Sequence, residues 1–73
     1  MKDGLRIDGQ KIERLRRANH WTQLQMAERS KMGLRQYCRY EQNQVLRPSY
    51  RAVNRIAAAL QVPVEALVQE EEE

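Results

Sequence analysis

The sequence predicts a compact all-α domain of five short helices, and three observations carry that prediction. Apolar residues recur at three- and four-residue spacing, and the alternation of a half-buried strand is absent. Only Gly4, Gly9, Gly33, Pro48 and Pro63 punctuate the chain, so the periodic stretches are separated by short turns. The length of 73 residues is enough for one small domain with one core.

Each element has its own signal. Residues 9–19 form the first helix, with Asp8 as N-cap and Ile12 and Leu15 pointing inward at i, i+3. The second helix starts at Thr22, whose spacing to Gln25 is that of a capping box. Met26 and Ala27 are its inward residues, and Trp21 precedes the cap as a staple toward the second turn. The third runs over about 33–41 with Tyr37 and Tyr40 inward. After a polar loop, Pro48 and Ser49 open the fourth helix, 49–60, with Val53, Ile56, Ala57 and Leu60 at i, i+3, i+4, i+7. Val62 and Pro63 break it, and a short fifth helix over about 64–69 offers Val64, Leu67 and Val68. The organisation expected is an N-terminal extension at 1–8, a folded domain at 9–69 and an acidic tail at 70–73. The tail is expected to be disordered, because four like charges repel and bury nothing.

The net charge of +3 hides an asymmetry. Four of the ten acidic residues are the final EEEE, so residues 1–69 carry 13 basic side chains against six acidic ones, net +7. A body that basic implies a polyanionic partner, nucleic acid before an anionic membrane surface; the plain alternative is a solvated helical surface. No apolar run approaches the roughly 18 residues of a membrane span, and MKDGLRIDGQ lacks the apolar stretch of a secretory signal. Cys38 is the single cysteine and forms no internal disulfide, so a reducing cytoplasm is the expected compartment. His20 has no Cys, Asp or His at ligand spacing, and Cys38 reads as a small half-buried side chain. Paired carboxylates, a Ser-His-Asp set and a phosphate-binding glycine loop are all missing. The expectation is a protein that is not an enzyme and takes no metal or cofactor.

The second and third helices form the informative pair. Ala27 is a small residue where two helices would cross. Lys31, four residues on, falls at the turn, and Tyr37, six further, anchors the third helix inward. That spacing sets two helices at the steep angle of a helix-turn-helix. Together IERLR at 12–16, WTQLQMAERS at 21–30, LRQYCRYE at 34–41 and Pro48-Ser49 followed by VNRIAAALQVPVEAL at 53–67 resemble, in order, the Cro and phage-repressor type of helix-turn-helix domain, the XRE family. The resemblance implies a lambda-repressor-like DNA-binding fold over 9 to about 68. Two departures stand out: Lys31 replaces the usual turn glycine, at a cost of up to about 1 kcal/mol if its φ is positive, and Gly33 occupies the usual Ser/Thr N-cap.

With the tyrosines inward, Leu34, Arg35, Gln36 and Arg39 are the candidate base-contacting residues. Arg35 and Arg39 stack at i, i+4 and can fork onto guanine O6 and N7, Gln36 can read an adenine edge, and Leu34 can meet a thymine methyl. The rival is a soluble helix face with no partner. Gln23, opening the second helix, and Gln42, Asn43 and Arg47, following the third, are candidate phosphate contacts. The resemblance further implies a partly buried salt bridge between Arg16 and Glu41. It also implies two-fold pairing on a palindromic operator in double-stranded DNA. Val62, Val64, Leu67 and Val68, with Leu46, are the candidate homodimer interface, unless they only close the monomer core. The function expected is a sequence-specific transcriptional regulator: a repressor, Cro-like or controller-type protein. The alternative is a protein-interaction module, an antitoxin or adaptor, keeping the same fold. RNA binding is weaker, because few aromatics are free to stack on bases.

Overall fold

The computed structural model describes residues 6–69. They form four α-helices, α1 (Gly9–Ala18), α2 (Gln23–Arg29), α3 (Leu34–Glu41) and α4 (Tyr50–Leu60), followed by a 3₁₀ turn over Val64–Leu67. The helix starts follow the caps read in the sequence. Asp8 accepts the Gln10 N–H. Thr22 and Gln25 close a reciprocal capping box. Ser49 accepts the Ala52 N–H at 3.0 Å. Gly33 caps α3 without a side-chain bond.

The helix ends share one device. His20, Lys31, Asn43 and Gln61 all take the left-handed conformation, with φ between 59° and 62°. In each case the following N–H reaches back five residues: Trp21 to the Arg16 carbonyl, Met32 to Ala27, Gln44 to Arg39 and Val62 to Ala57, at 2.9–3.3 Å. These are Schellman closures, where glycine is the usual occupant because it has no Cβ to strain. Lys31 therefore takes the positive φ its turn position requires. Lys31→Gly is expected to stabilise the domain by about 0.5–1 kcal/mol, relief of the left-handed strain outweighing the extra freedom of the unfolded chain. Urea denaturation checks this, and a midpoint that stays put or falls contradicts it.

The core is Ile12 of α1, Met26 and Ala27 of α2, Tyr37 and Tyr40 of α3, Leu67 of the 3₁₀ turn and the expected inward set of α4, joined by Ala52. The fifth helix differs from expectation. It is a four-residue 3₁₀ turn, because Pro63 stays extended before it and Val68 turns extended after it to make an isolated antiparallel bridge with Ile7. The Asp8 N–H donates to the Leu67 carbonyl at 2.9 Å and the Gln69 N–H to the Arg6 carbonyl at 2.7 Å, so residues 6–8 are tied to the domain. Residues 1–5 of the expected extension, and the acidic tail 70–73, lie outside the described residues. Leu67 was a candidate for a dimer interface, but it is fully buried within this single chain, packed into the core, and has no surface left for a partner. Val62, Val64 and Val68 are half-buried, and Leu46 is 93% exposed.

Candidate nucleic-acid interface

Alpha 3 divides cleanly into two sides. Tyr37, Tyr40 and Glu41 are buried, while Leu34, Arg35, Gln36 and Arg39 are exposed. One side is therefore locked into the scaffold and the other presents two guanidinium groups, an amide and an apolar leading edge. An eight-residue helix is about 12 Å long, a length that fits within a DNA major groove.

Glu41 organises the locked side. Its Oε2 accepts from Arg16 Nε at 2.6 Å and from the Tyr37 hydroxyl. Its Oε1 accepts from Gln23 Nε2 at 2.9 Å and from Arg16 Nη2 at 3.4 Å. Arg16 Nη1 also donates to the Trp21 carbonyl at 2.8 Å, joining the α1–α2 connection to the same network. The expected Arg16–Glu41 bridge is thus present, but as the centre of a four-residue cluster. Burial pushes the Glu41 carboxyl up. The hydrogen bonds from Arg16, Tyr37 and Gln23, with the charge of Arg16, outweigh it and hold the group below the ordinary carboxylate range. The bond to Glu41 raises Arg16 against the opposing effect of burial. Burial first, then the bond it donates to Glu41, pushes the Tyr37 phenol well above its ordinary value, so it remains a donor. The Tyr37 hydroxyl is buried against Glu41, four residues along the same helix face.

The candidate phosphate residues fall into two kinds. Gln42 and Arg47 are exposed. Gln23 is half-buried and already has one N–H committed to Glu41, which leaves its second N–H for a ligand. Asn43 has a structural task as well: its Oδ1 accepts the Gly9 N–H at 2.9 Å while its backbone closes α3.

Gly9 is the residue that sequence reasoning passed over. A Cβ there would sit 2.2 Å from the Glu41 carbonyl oxygen and 2.5 Å from that of Tyr40. The start of α1 therefore rests directly on the end of α3, and only glycine permits that approach. The one signal available was a glycine directly after an N-cap aspartate. Trp21 is half-buried and carries the Arg29 guanidinium 4.2 Å above its ring centroid, a contact the residue pattern did not reveal. Among the described residues, no group of three or more His, Cys, Asp or Glu side chains could hold a metal ion. No helix there is long and apolar enough to cross a membrane.

A family model described as a helix-turn-helix domain matches residues 9–73. No curated protein matches the chain. Solved structures do. The N-terminal DNA-binding domain of SinR from Bacillus subtilis superposes with a TM-score of 0.78 at 26% identity, over 89% of this chain and 94% of that one. A solution structure of the N-terminal DNA-binding domain of the same Bacillus subtilis regulator gives 0.76 at 25%, over 92% and 97%. The SinR chain of a SinR–SinI complex gives 0.73 at 24% identity over 78% of this chain, a likeness of fold; this chain spans 55% of its length.

Proposed function

The chain belongs to the helix-turn-helix domain family, of the XRE type, and on that premise we propose that it is a sequence-specific DNA-binding transcriptional regulator acting in the cytoplasm, at the nucleoid. The observation that carries this reading is the exposed set Arg35, Gln36 and Arg39 on a helix whose opposite side is fixed by Glu41, Tyr37 and Tyr40. The backbone of that helix is fixed before DNA arrives, so only the exposed side chains have to order when they meet base edges. The net charge of +7 over residues 1–69 supplies the sequence-independent attraction to phosphate. The solved domains it resembles are described as DNA-binding, which supports the same partner here.

In this reading α3 enters the major groove and Leu34, Arg35, Gln36 and Arg39 face base edges. Gln23, Gln42, Asn43 and Arg47 grip the flanking phosphates. The remaining N–H of Gln23 is aimed by Glu41, so the same carboxylate sets both the recognition helix and one phosphate contact. Two copies pair through Val62, Val64 and Val68, with Leu46, and place two helices in successive major grooves about 34 Å apart on a palindromic operator. Occupying that operator blocks or recruits polymerase, as a repressor, Cro-like or controller-type protein does. The exposed Leu46 and Tyr50 are the one observation that favours a protein-partner module instead.

Arg39→Ala is expected to weaken binding to the preferred site by about 1–3 kcal/mol and to relax preference at one base pair. Gln23→Ala is expected to weaken binding evenly across sequences. Titrations against the preferred duplex and single-base variants check both. Uniform weakening by Arg39→Ala removes it from base reading, and full tolerance of the loss of Arg35 and Arg39 together favours the protein-partner module.

A further inference from the structure

The cleft beside the exposed side of α3 has a wall that comes from outside the helix. It has a volume of about 380 Å³ and is lined by Arg35, Gln36, Arg39, Tyr40 and Val45. Val45 reaches this position through the end of α3. The left-handed turn at Asn43 and the Gln44 N–H to Arg39 carbonyl bond of 2.9 Å reverse the chain. The Asn43 side chain, holding the Gly9 N–H, ties that reversal to α1. The loop is thereby brought back along the recognition helix, and Val45, half-buried, packs against the core at one edge while lining the cleft.

The chemistry of the lining is uneven. Arg35, Gln36 and Arg39 offer hydrogen-bond donors; Tyr40 is buried down to 4% exposure. Val45 is the aliphatic wall. On the major-groove edge of a base pair the one apolar group is the C5-methyl of thymine. We infer that Val45 is a specificity-determining residue that receives a thymine methyl, next to the base pair read by the arginines, so that the loop adds a base preference of its own. This inference rests on the proposed reading of DNA by α3. Leu34, the other apolar candidate for such a methyl, lies at the leading end of α3 and does not line this cleft.

The test uses the duplex enriched from a random pool, with each thymine replaced in turn by deoxyuridine, which removes the methyl and leaves every hydrogen-bonding group. The full chain is expected to lose about fourfold in affinity at one thymine per half-site, the contribution of one buried methyl. In Val45→Ala that penalty is expected to disappear while discrimination at the pair read by Arg39 persists. Val45→Thr, which keeps the volume but exchanges one methyl for a hydroxyl, should shrink the penalty in the same place and covers the case in which the alanine variant folds poorly. Absence of any deoxyuridine-sensitive thymine overturns the inference. So does a penalty unchanged in the Val45 variants, or one abolished by Leu34→Ala instead. A pool that yields no enriched site fails the base-reading account itself and takes this inference with it, a result distinct from an enriched site whose thymine methyls are silent.

Discussion

Gly9→Ala is expected to destabilise the domain by at least about 3 kcal/mol, because the added carbon meets backbone and no flexible side chain can yield. It would lie 2.2 Å from one carbonyl oxygen and 2.5 Å from another, both at the end of α3. Relief requires α1 and α3 to move apart, which also breaks the Gly9 N–H to Asn43 bond. A domain of 73 residues has a total stability of about 4–11 kcal/mol, so this single methyl removes a large share of it. Gly33→Ala is the internal control: nothing lies within 4 Å of its added carbon, and less than about 1 kcal/mol should be lost, the poorer capping by Ala being partly offset by the lower freedom of the unfolded chain. Urea denaturation of both variants is the measurement. Equal, small effects would mean that α1 does not rest on the end of α3.

Arg16→Met is expected to cost about 3–5 kcal/mol, since it strands the buried Glu41 carboxylate without its cation. Arg16 and Glu41 are 8% and 7% exposed, so water cannot restore the lost partner without opening the fold. Replacing the three buried members of the cluster together, Arg16→Met with Tyr37→Phe and Glu41→Leu, is expected to cost less than Arg16→Met alone, because it leaves no buried charge. Replacing only Arg16 and Glu41 is not an equivalent exchange: the Tyr37 hydroxyl would then be buried without an acceptor. Acid supplies an independent readout. The folded carboxyl of Glu41 titrates below its unfolded value of 4.5, so its contribution is present above about pH 4.5 and is lost as pH falls toward the folded pKa. The parent chain should lose stability below that pH more steeply than the triple variant. Parallel profiles would remove Glu41 from the account.

The parts of this fold that were legible in the sequence are those specified by local chemistry. Thr22 with Gln25, Asp8 and Ser49 announce helix starts because their side chains bond to N–H groups two or three residues away. Val53, Ile56, Ala57 and Leu60 announce a buried face because the helical repeat brings them together. Glu41 was marked by resemblance as the partner of Arg16, and the bridge formed. The parts that were not legible depend on elements meeting in space. Gly9 carries no local sign of the carbonyls that will press on it. Tyr37 reads as a core aromatic until Glu41 is seen folded under its hydroxyl. Three of the four helix ends were silent because the left-handed residue is His20, Asn43 or Gln61 and not glycine. The last turn was overread, since Val64, Leu67 and Val68 fit a helical spacing but Val68 is drawn away to pair with Ile7. At the candidate interface, the exposure of Arg35, Gln36 and Arg39 followed from the inward tyrosines, whereas the capture of Gln23 by Glu41 depends on where α2 and α3 cross.

The central claim is that the exposed side of α3 reads a DNA sequence. Selection of bound duplexes from a random pool of about 25 base pairs at roughly 150 mM salt tests it most directly. The account expects an enriched palindrome with half-sites about one helical turn apart, whose central preference weakens in Arg39→Ala. Binding that tracks salt alone, with no enriched sequence, would contradict it.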